Sequence, residues 1–176
     1  MKKTLLTLTV LALCAVFSPP ATAASFGAYG SYWDAEDADS TTGIGVKFGF
    51  GLSKTVELEF HGTYYNDFEE TIGGTGYRIS ALPVGGGLRF NLMPEKKFNV
   101  ALGLGLSYVF MDSNIGEMDD KFMYYGLAGF DVGSDTTRFL LEVMYRRLTS
   151  NIDDGVSVTD IDFDGFSFNT GVLWKF

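Results

Sequence analysis

"GIGVKFGFGLSKTVELEFHGTYY", residues 43–65, alternates at period two through two successive runs. In the first, Ile44, Val46, Phe48, Phe50 and Leu52 share one face, and Gly43, Gly45, Lys47, Gly49 and Gly51 share the other. After Ser53-Lys54, Val56, Leu58, Phe60 and Tyr64 continue the apolar face, while Glu57, Glu59, His61, Thr63 and Tyr65 continue the polar one. Successive side chains of a strand point to opposite sides, so the stretch reads as a hairpin with one apolar face. The other face carries glycine and charge. Each run has about ten residues, longer than the usual strand of a soluble sheet and enough for a tilted crossing of bilayer hydrocarbon.

The pattern recurs along the chain. Strands are predicted near 25–34, 43–52, 55–65, 78–92, 98–110, 122–132, 137–148 and 162–176. Leu82, Val84, Leu88 and Phe90 form the apolar face of the fourth, opposite Pro83, Gly85, Gly87 and Arg89. In the fifth, Phe98, Val100, Leu102, Leu104, Leu106, Tyr108 and Phe110 oppose Gly103, Gly105 and Ser107. In the seventh, Phe139, Leu141, Val143 and Tyr145 oppose Arg138, Glu142 and Arg146. The first and sixth strands carry aromatic and small residues on both sides, so their faces stay unassigned. The connections 53–54, 93–97 and 133–136 are short; the others are longer and acidic, and 16 of the 22 acidic residues gather with them at one end, Asp37, Asp39, Glu69 and Asp120 among them. Short turns at one end and long loops at the other is the arrangement of a transmembrane barrel.

Aromatics at 15%, 22 glycines and only four prolines favour an all-β domain over a helical one. At the N-terminus, a basic Met1-Lys2-Lys3, an apolar run from Leu5 to Phe17, Ser18-Pro19-Pro20 and Ala21-Thr22-Ala23 read as a secretory signal peptide over 1–23. One domain over 24–176 follows its cleavage. Cys14 follows Leu13, which is too large for a lipidation site, and the mature chain then has no cysteine and no disulfide. Loss of Lys2 and Lys3 takes the formal net charge from −9 to −11, which argues against nucleic acid as a partner.

The last predicted strand places Phe166, Phe168, Thr170, Val172, Trp174 and Phe176 on one face, apolar to its end. Residues 24–176 as a whole resemble the small eight-stranded outer-membrane barrels of the OmpA/OmpX type. The final strand is similar to the assembly signal of that class, with Asn169, Gly171, Trp174 and Phe176 at the polar, glycine and aromatic positions. The resemblance implies an eight-stranded antiparallel up-and-down transmembrane β-barrel in the outer membrane, recognised by the outer-membrane assembly machinery. It also implies termini in the periplasm and long loops outside, in contact with outer-membrane lipids and lipopolysaccharide. It identifies an architecture and leaves the function open.

Inward charges are expected at Lys47, Arg89, Arg138, Arg146 and Lys175 against Glu57, Glu59 and Glu142, with Asp131 left open and His61 nearby. Near-balance of sign suits a packed network plugging the lumen, since an unpaired buried charge is costly. Lipid A deacylases are also small barrels and use a His-x-Ser pair. Here the match is His61-Gly62-Thr63, with threonine in the serine position and the histidine facing inward. No catalytic residue and no cofactor is assigned, and enzymatic activity is not expected. Asp160, Asp162 and Asp164 resemble the opening of a calcium loop, but Gly171 stands where the closing glutamate belongs, so they are a minor candidate metal site. Arg78, Lys121 and Arg147 near the outer strand ends are candidate contacts for lipopolysaccharide phosphates.

The function expected first is a structural or surface-interaction role, with four acidic loops outside and the lumen plugged. The alternative is a narrow channel or transporter for small or apolar solutes, as in the similar OmpW-type barrels; a lipid A-modifying enzyme is a remote third. A monomer without a cell-wall tether is expected, and no extracellular partner is identified.

Overall fold

The hairpin read at 43–65 is present as β2 (Thr41–Gly51) and β3 (Val56–Ile72), turned at Leu52 to Thr55. The structure is a computed structural model and describes residues 24–36, 38–72, 75–114, 117–118, 120–153 and 158–176. The predicted signal peptide and Asp37 lie outside the described residues. Around the hairpin run β1 (Ala24–Ala35), β4 (Thr75–Asn91), β5 (Phe98–Ser113), β6 (Glu117–Met118), β7 (Lys121–Gly133), β8 (Thr137–Arg147), β9 (Thr149–Asp153), β10 (Val158–Asp162) and β11 (Gly165–Lys175).

Eight of these strands close into an antiparallel barrel in the order β1-β11-β8-β7-β5-β4-β3-β2. The seam is made by the first and last strands, from Ser25 opposite Lys175 to Ala35 opposite Gly165. Ala24 and Phe176 exchange two backbone hydrogen bonds there, at 3.2 and 2.8 Å. Closure leaves no barrel strand with an unpaired edge.

The outer surface is the reverse of a soluble protein's. Ile44 is 75% exposed, Phe122 66% and Leu104 60%, with a belt of other large apolar side chains around them. Leaving such area in water forfeits about 25 cal/mol per Å², so a surface of this kind is at home in hydrocarbon. No helix among the described residues is long and apolar enough to cross a membrane. At the turn end Phe26 stacks on Trp174 with ring centroids 5.6 Å apart and touches Phe48 at 5.0 Å. At the loop end Tyr108 packs edge-on against Phe110 and Phe122, and the Tyr145 and Phe166 rings meet at a tilt with centroids 5.1 Å apart. These are the aromatic borders of the apolar belt.

The structure assigns the two faces that alternation left open. On β1, Tyr29, Ser31 and Trp33 are buried in the lumen while Gly30 and Tyr32 face out; on β7, Met123, Tyr125 and Asp131 point in.

Several features depart from the predicted strands. β3 and β4 run further outward than 65 and 78, as a hairpin in which Glu69 stands opposite Arg78 and Glu70 opposite Tyr77. Their register shifts between Tyr65 and Phe68, and this bulge turns both residues inward, where strict alternation would put Phe68 on the outside. The last barrel strand starts at Gly165 and not at 162, because Ile161 and Asp162 belong to β10. β10, β9 and β6 form a separate three-stranded sheet in segments expected to be plain acidic loops.

Inside, the barrel has two zones. Toward the loops an apolar cluster fills it, with Trp33 against Tyr65 and Phe68 at 5.2 Å each, Phe68 against Phe163 at 5.6 Å, and Ile79, Met123, Leu148 and Ile161 around them. Toward the turns the interior is charged.

Candidate functional site

The charged zone is built from strands whose lumen face alternates long ionisable side chains with glycine. A Cβ at position 49 would collide with the Glu57 carboxylate and Ser25 Oγ, and one at 129 would come within 2.7 Å of Glu142 Cγ. Glycine at these places opens the space the carboxylates occupy. The barrel then brings residues from distant strands together.

Glu142 on β8 is the hub. It accepts hydrogen bonds from Lys47 Nζ on β2 at 2.8 Å and from Arg89 Nη1 on β4. Lys47 also reaches Glu59 on β3 at 3.1 Å, and Arg89 reaches Glu59 at 3.4 Å and Asp131 on β7 at 3.3 Å. Arg138 donates to Asp131 at 2.7 Å and to the Lys96 carbonyl at 2.9 Å, and half-buried Lys175 stands 3.9 Å from Asp131. Lys47, Glu59, Arg89, Asp131, Arg138 and Glu142 are all buried. Pairing of this density is what makes charge tolerable in a low-dielectric interior.

Three of the residues expected in that network do something else. Glu57 takes neutral partners, Ser25 Oγ at 2.5 Å and Asn91 Nδ2 at 3.3 Å. His61 shares a hydrogen bond with Ser107 at 3.2 Å and lies edge-on to Tyr125, without an ion-pair partner among the described residues. Arg146 lies over the rings of Trp33 and Tyr65, its Cζ 4.6 and 5.2 Å from their centroids. Asp131, left open by the sequence, joins Arg89, Arg138 and Lys175; its place on a strand with two aromatic faces hid it.

The other candidates are dispersed. Asp160 and Asp162 sit in β10 and not on the face of the last barrel strand; the side chain of Asp160 lies outside the described residues. Asp162 accepts from Thr149 Oγ1 at 3.0 Å, while Asp164 accepts from the Leu148 backbone N–H at 2.7 Å and from Arg147 Nε at 3.0 Å. The chain leaves one sheet for another between Asp162 and Asp164, and each of these two carboxylates has its own partners. Among the described residues no group of three or more metal-ligating side chains comes together.

Arg78, Lys121 and Arg147 lie on β4, β7 and β8, in the sector of the rim joined by β5. Arg147 is 73% exposed but already paired with Asp164. In the terminal strand, Asn169 and Gly171 face the lumen. Asn169 accepts from Ser31 at 2.6 Å, and a Cβ at 171 would strike the backbone of Ala28 and Tyr29. Trp174 faces out against Phe26, and Phe176 is exposed.

A closed eight-stranded barrel with an apolar exterior and a charged interior has solved counterparts. OprG from Pseudomonas aeruginosa superposes with a TM-score of 0.76 at 16% identity, over 88% of this chain and 95% of its own. This is the fold of the small outer-membrane β-barrels. Neisserial surface protein A matches such a barrel with a TM-score of 0.62 at 14% identity, over 88% of this chain and 96% of its own. Outer membrane protein W of E. coli matches at 0.57 and 16%, over 87% and 97%. No family model and no curated protein matches the sequence. Barrels of this type cross a membrane with their strands, and in this chain the loops and the short turns lie at opposite ends of the barrel.

Proposed function

We propose that this outer-membrane barrel has a structural and surface-interaction role and does not serve as an open pore. The observation that carries this reading is the ionic network centred on Glu142, which ties β2, β3, β4, β7 and β8 together across the interior. Above it the apolar cluster of Trp33, Tyr65, Phe68 and Phe163 fills the outer half. Two stacked layers of different chemistry block a water column twice. The working surface is then the acidic loop end, held by the β6, β9 and β10 sheet and by the extended β3–β4 hairpin. The short turns and both termini face the periplasm in this reading. Outer-membrane lipids and lipopolysaccharide surround the belt, and the assembly machinery reads Asn169, Gly171, Trp174 and Phe176.

The test is single-channel conductance of folded protein in a planar bilayer. The expected record is a closed baseline without porin-sized steps; stable steps of that size would reject the reading.

A second reading, passage of small or apolar solutes, draws on the apolar lining of the outer half. It predicts entry of an apolar fluorescent solute into proteoliposomes at a rate that falls when Trp33 or Phe68 is replaced by a charged residue. Equal entry into protein-free vesicles would dismiss it.

A further inference from the structure

Among the described residues, four buried side-chain polar atoms have no hydrogen-bond partner: Trp33 Nε1, Arg146 Nε, Arg146 Nη1 and Ser167 Oγ. They belong to three residues on the adjacent strands β1, β8 and β11, all pointing into the lumen. Ser167 stands directly opposite Trp33 on one side and Met144 on the other, and the Arg146 guanidinium lies 4.6 Å from the Trp33 ring. Orphaned buried polar groups are rare in native proteins, and orphans gathered at one point call for a common partner.

The chemistry of that partner follows from the donors. A guanidinium and an indole N–H can only donate, and a serine hydroxyl can donate as well. Nearby acceptors are already engaged: Ser31 with Tyr65 and Asn169, Tyr29 with Thr63. Among the described residues, the hydrogen bond of Arg146 Nη2 is the weak one to Met144 Sδ at 3.8 Å. Charge points the same way. Lys47, Arg89, Arg138 and Lys175 are matched in number by Glu57, Glu59, Asp131 and Glu142, and the described residues give Arg146 no carboxylate. Among the described residues it is the cation of the charged zone left without a carboxylate. Aromatic faces stabilise a guanidinium in part but do not neutralise it.

We infer that Trp33, Arg146 and Ser167 form an internal binding site for a small monovalent anion, a halide or a compact carboxylate, between the ionic network and the apolar cluster. The anion accepts from Arg146 Nε and Nη1, Trp33 Nε1 and Ser167 Oγ, and balances the fifth interior cation. Its place under Trp33, Phe68 and Phe163 keeps it from water, which strengthens every charge-assisted bond to it. Compactness follows from the crowding: Trp33, Tyr65, Met144 and Leu148 are all buried around it. The inference holds whether or not the barrel conducts.

The chain has two tryptophans, Trp33 in the lumen and Trp174 on the outer face, so the indole N–H resonances of ¹⁵N-labelled folded protein separate the site from the surface. Sodium chloride and sodium acetate are titrated separately, with ionic strength held by a bulky sulfonate buffer. The expected result is a saturable shift of the Trp33 resonance with a fixed Trp174 resonance; the chloride and acetate arms tell a halide site from a carboxylate site. Arg146→Gln should weaken the midpoint about tenfold or more, and Arg146→Lys, which keeps the charge, should weaken it less. If Arg146→Gln does not fold, Ser167→Ala carries the same test through a smaller change and should shift the midpoint several-fold. A Trp33 resonance that ignores both anions, shifts linearly without saturating, or titrates identically in Ser167→Ala would overturn the site, leaving ordered water as the partner of these donors.

Discussion

Lys47 and Glu142 are 95 positions apart in the chain, on strands that do not touch in the barrel, and their charged groups meet at 2.8 Å. The contact spans the interior and does not follow the sheet. It works as a cross-brace, and Arg89 and Glu59 complete it from the other side.

Removal of the hub should cost more than removal of a pair. Glu142→Ala leaves Lys47 with Glu59 and Arg89 with Glu59 and Asp131, one buried negative charge short, and is expected to destabilise the barrel by about 3–5 kcal/mol. Urea unfolding in lipid vesicles, read by the migration of the folded form in unheated gels, gives the number. The double variant Lys47→Met with Glu142→Leu, which removes both charges of the brace, should be closer to wild type than Glu142→Ala alone. A single variant with wild-type stability would show that the hub bears no load.

Glycine positions on the two faces should respond oppositely to one methyl group. A Cβ at Gly171 would strike the β1 backbone, so Gly171→Ala should lose about 1–3 kcal/mol through overpacking. A Cβ at Gly30 meets nothing within 4 Å, so Gly30→Ala should be neutral or stabilise by up to about 1 kcal/mol. The same unfolding assay ranks them, and the reverse order would contradict the assigned faces of β1 and β11.

Assembly should depend on the outward aromatics of the last strand. Replacement of Trp174 and Phe176 by serine removes the stack on Phe26 and the apolar end of β11. The expected product is unfolded protein in the periplasm, seen as loss of the heat-modifiable band. Normal migration of this variant would exclude the terminal strand as the determinant.

Lipopolysaccharide contact at the rim should draw on Arg78, Lys121 and Arg147 together, with the Arg147 guanidinium shared with Asp164. Arg78→Ala with Lys121→Ala is expected to weaken lipopolysaccharide binding several-fold, and Arg147→Ala alone by less. Asp164→Asn, by releasing Arg147, should strengthen it. Binding unchanged by all three would reject a phosphate contact in this sector.

Alternation made the barrel legible because lipid and lumen enforce opposite chemistry on neighbouring residues. Lys47, Glu59, Arg89, Arg138 and Glu142 could be placed inside on that ground alone. What the sequence concealed lies where alternation breaks or partners are three-dimensional. The bulge before Phe68 costs one residue of register and carries no composition mark. The sheet of β6, β9 and β10 is short and polar, so its strands have no apolar stripe. Asp164 read as part of a minor candidate metal site, and its carboxylate accepts from the Leu148 N–H and Arg147. Arg146 and Lys47 are indistinguishable by sign count, and only the structure reveals that one has carboxylates and the other has rings.

Sealing the sheet between Ser25 and Lys175 makes β1 wait for the last strand to be synthesised. Until β11 arrives, every partial sheet exposes two sticky margins, and pairing across the greatest separation in the chain is the slowest kind to find. A polypeptide cut short by a stalled ribosome or a protease therefore has no way to imitate the finished cylinder. The seam inspects each molecule for length: a full copy becomes edgeless, and a shortened one keeps its open margins.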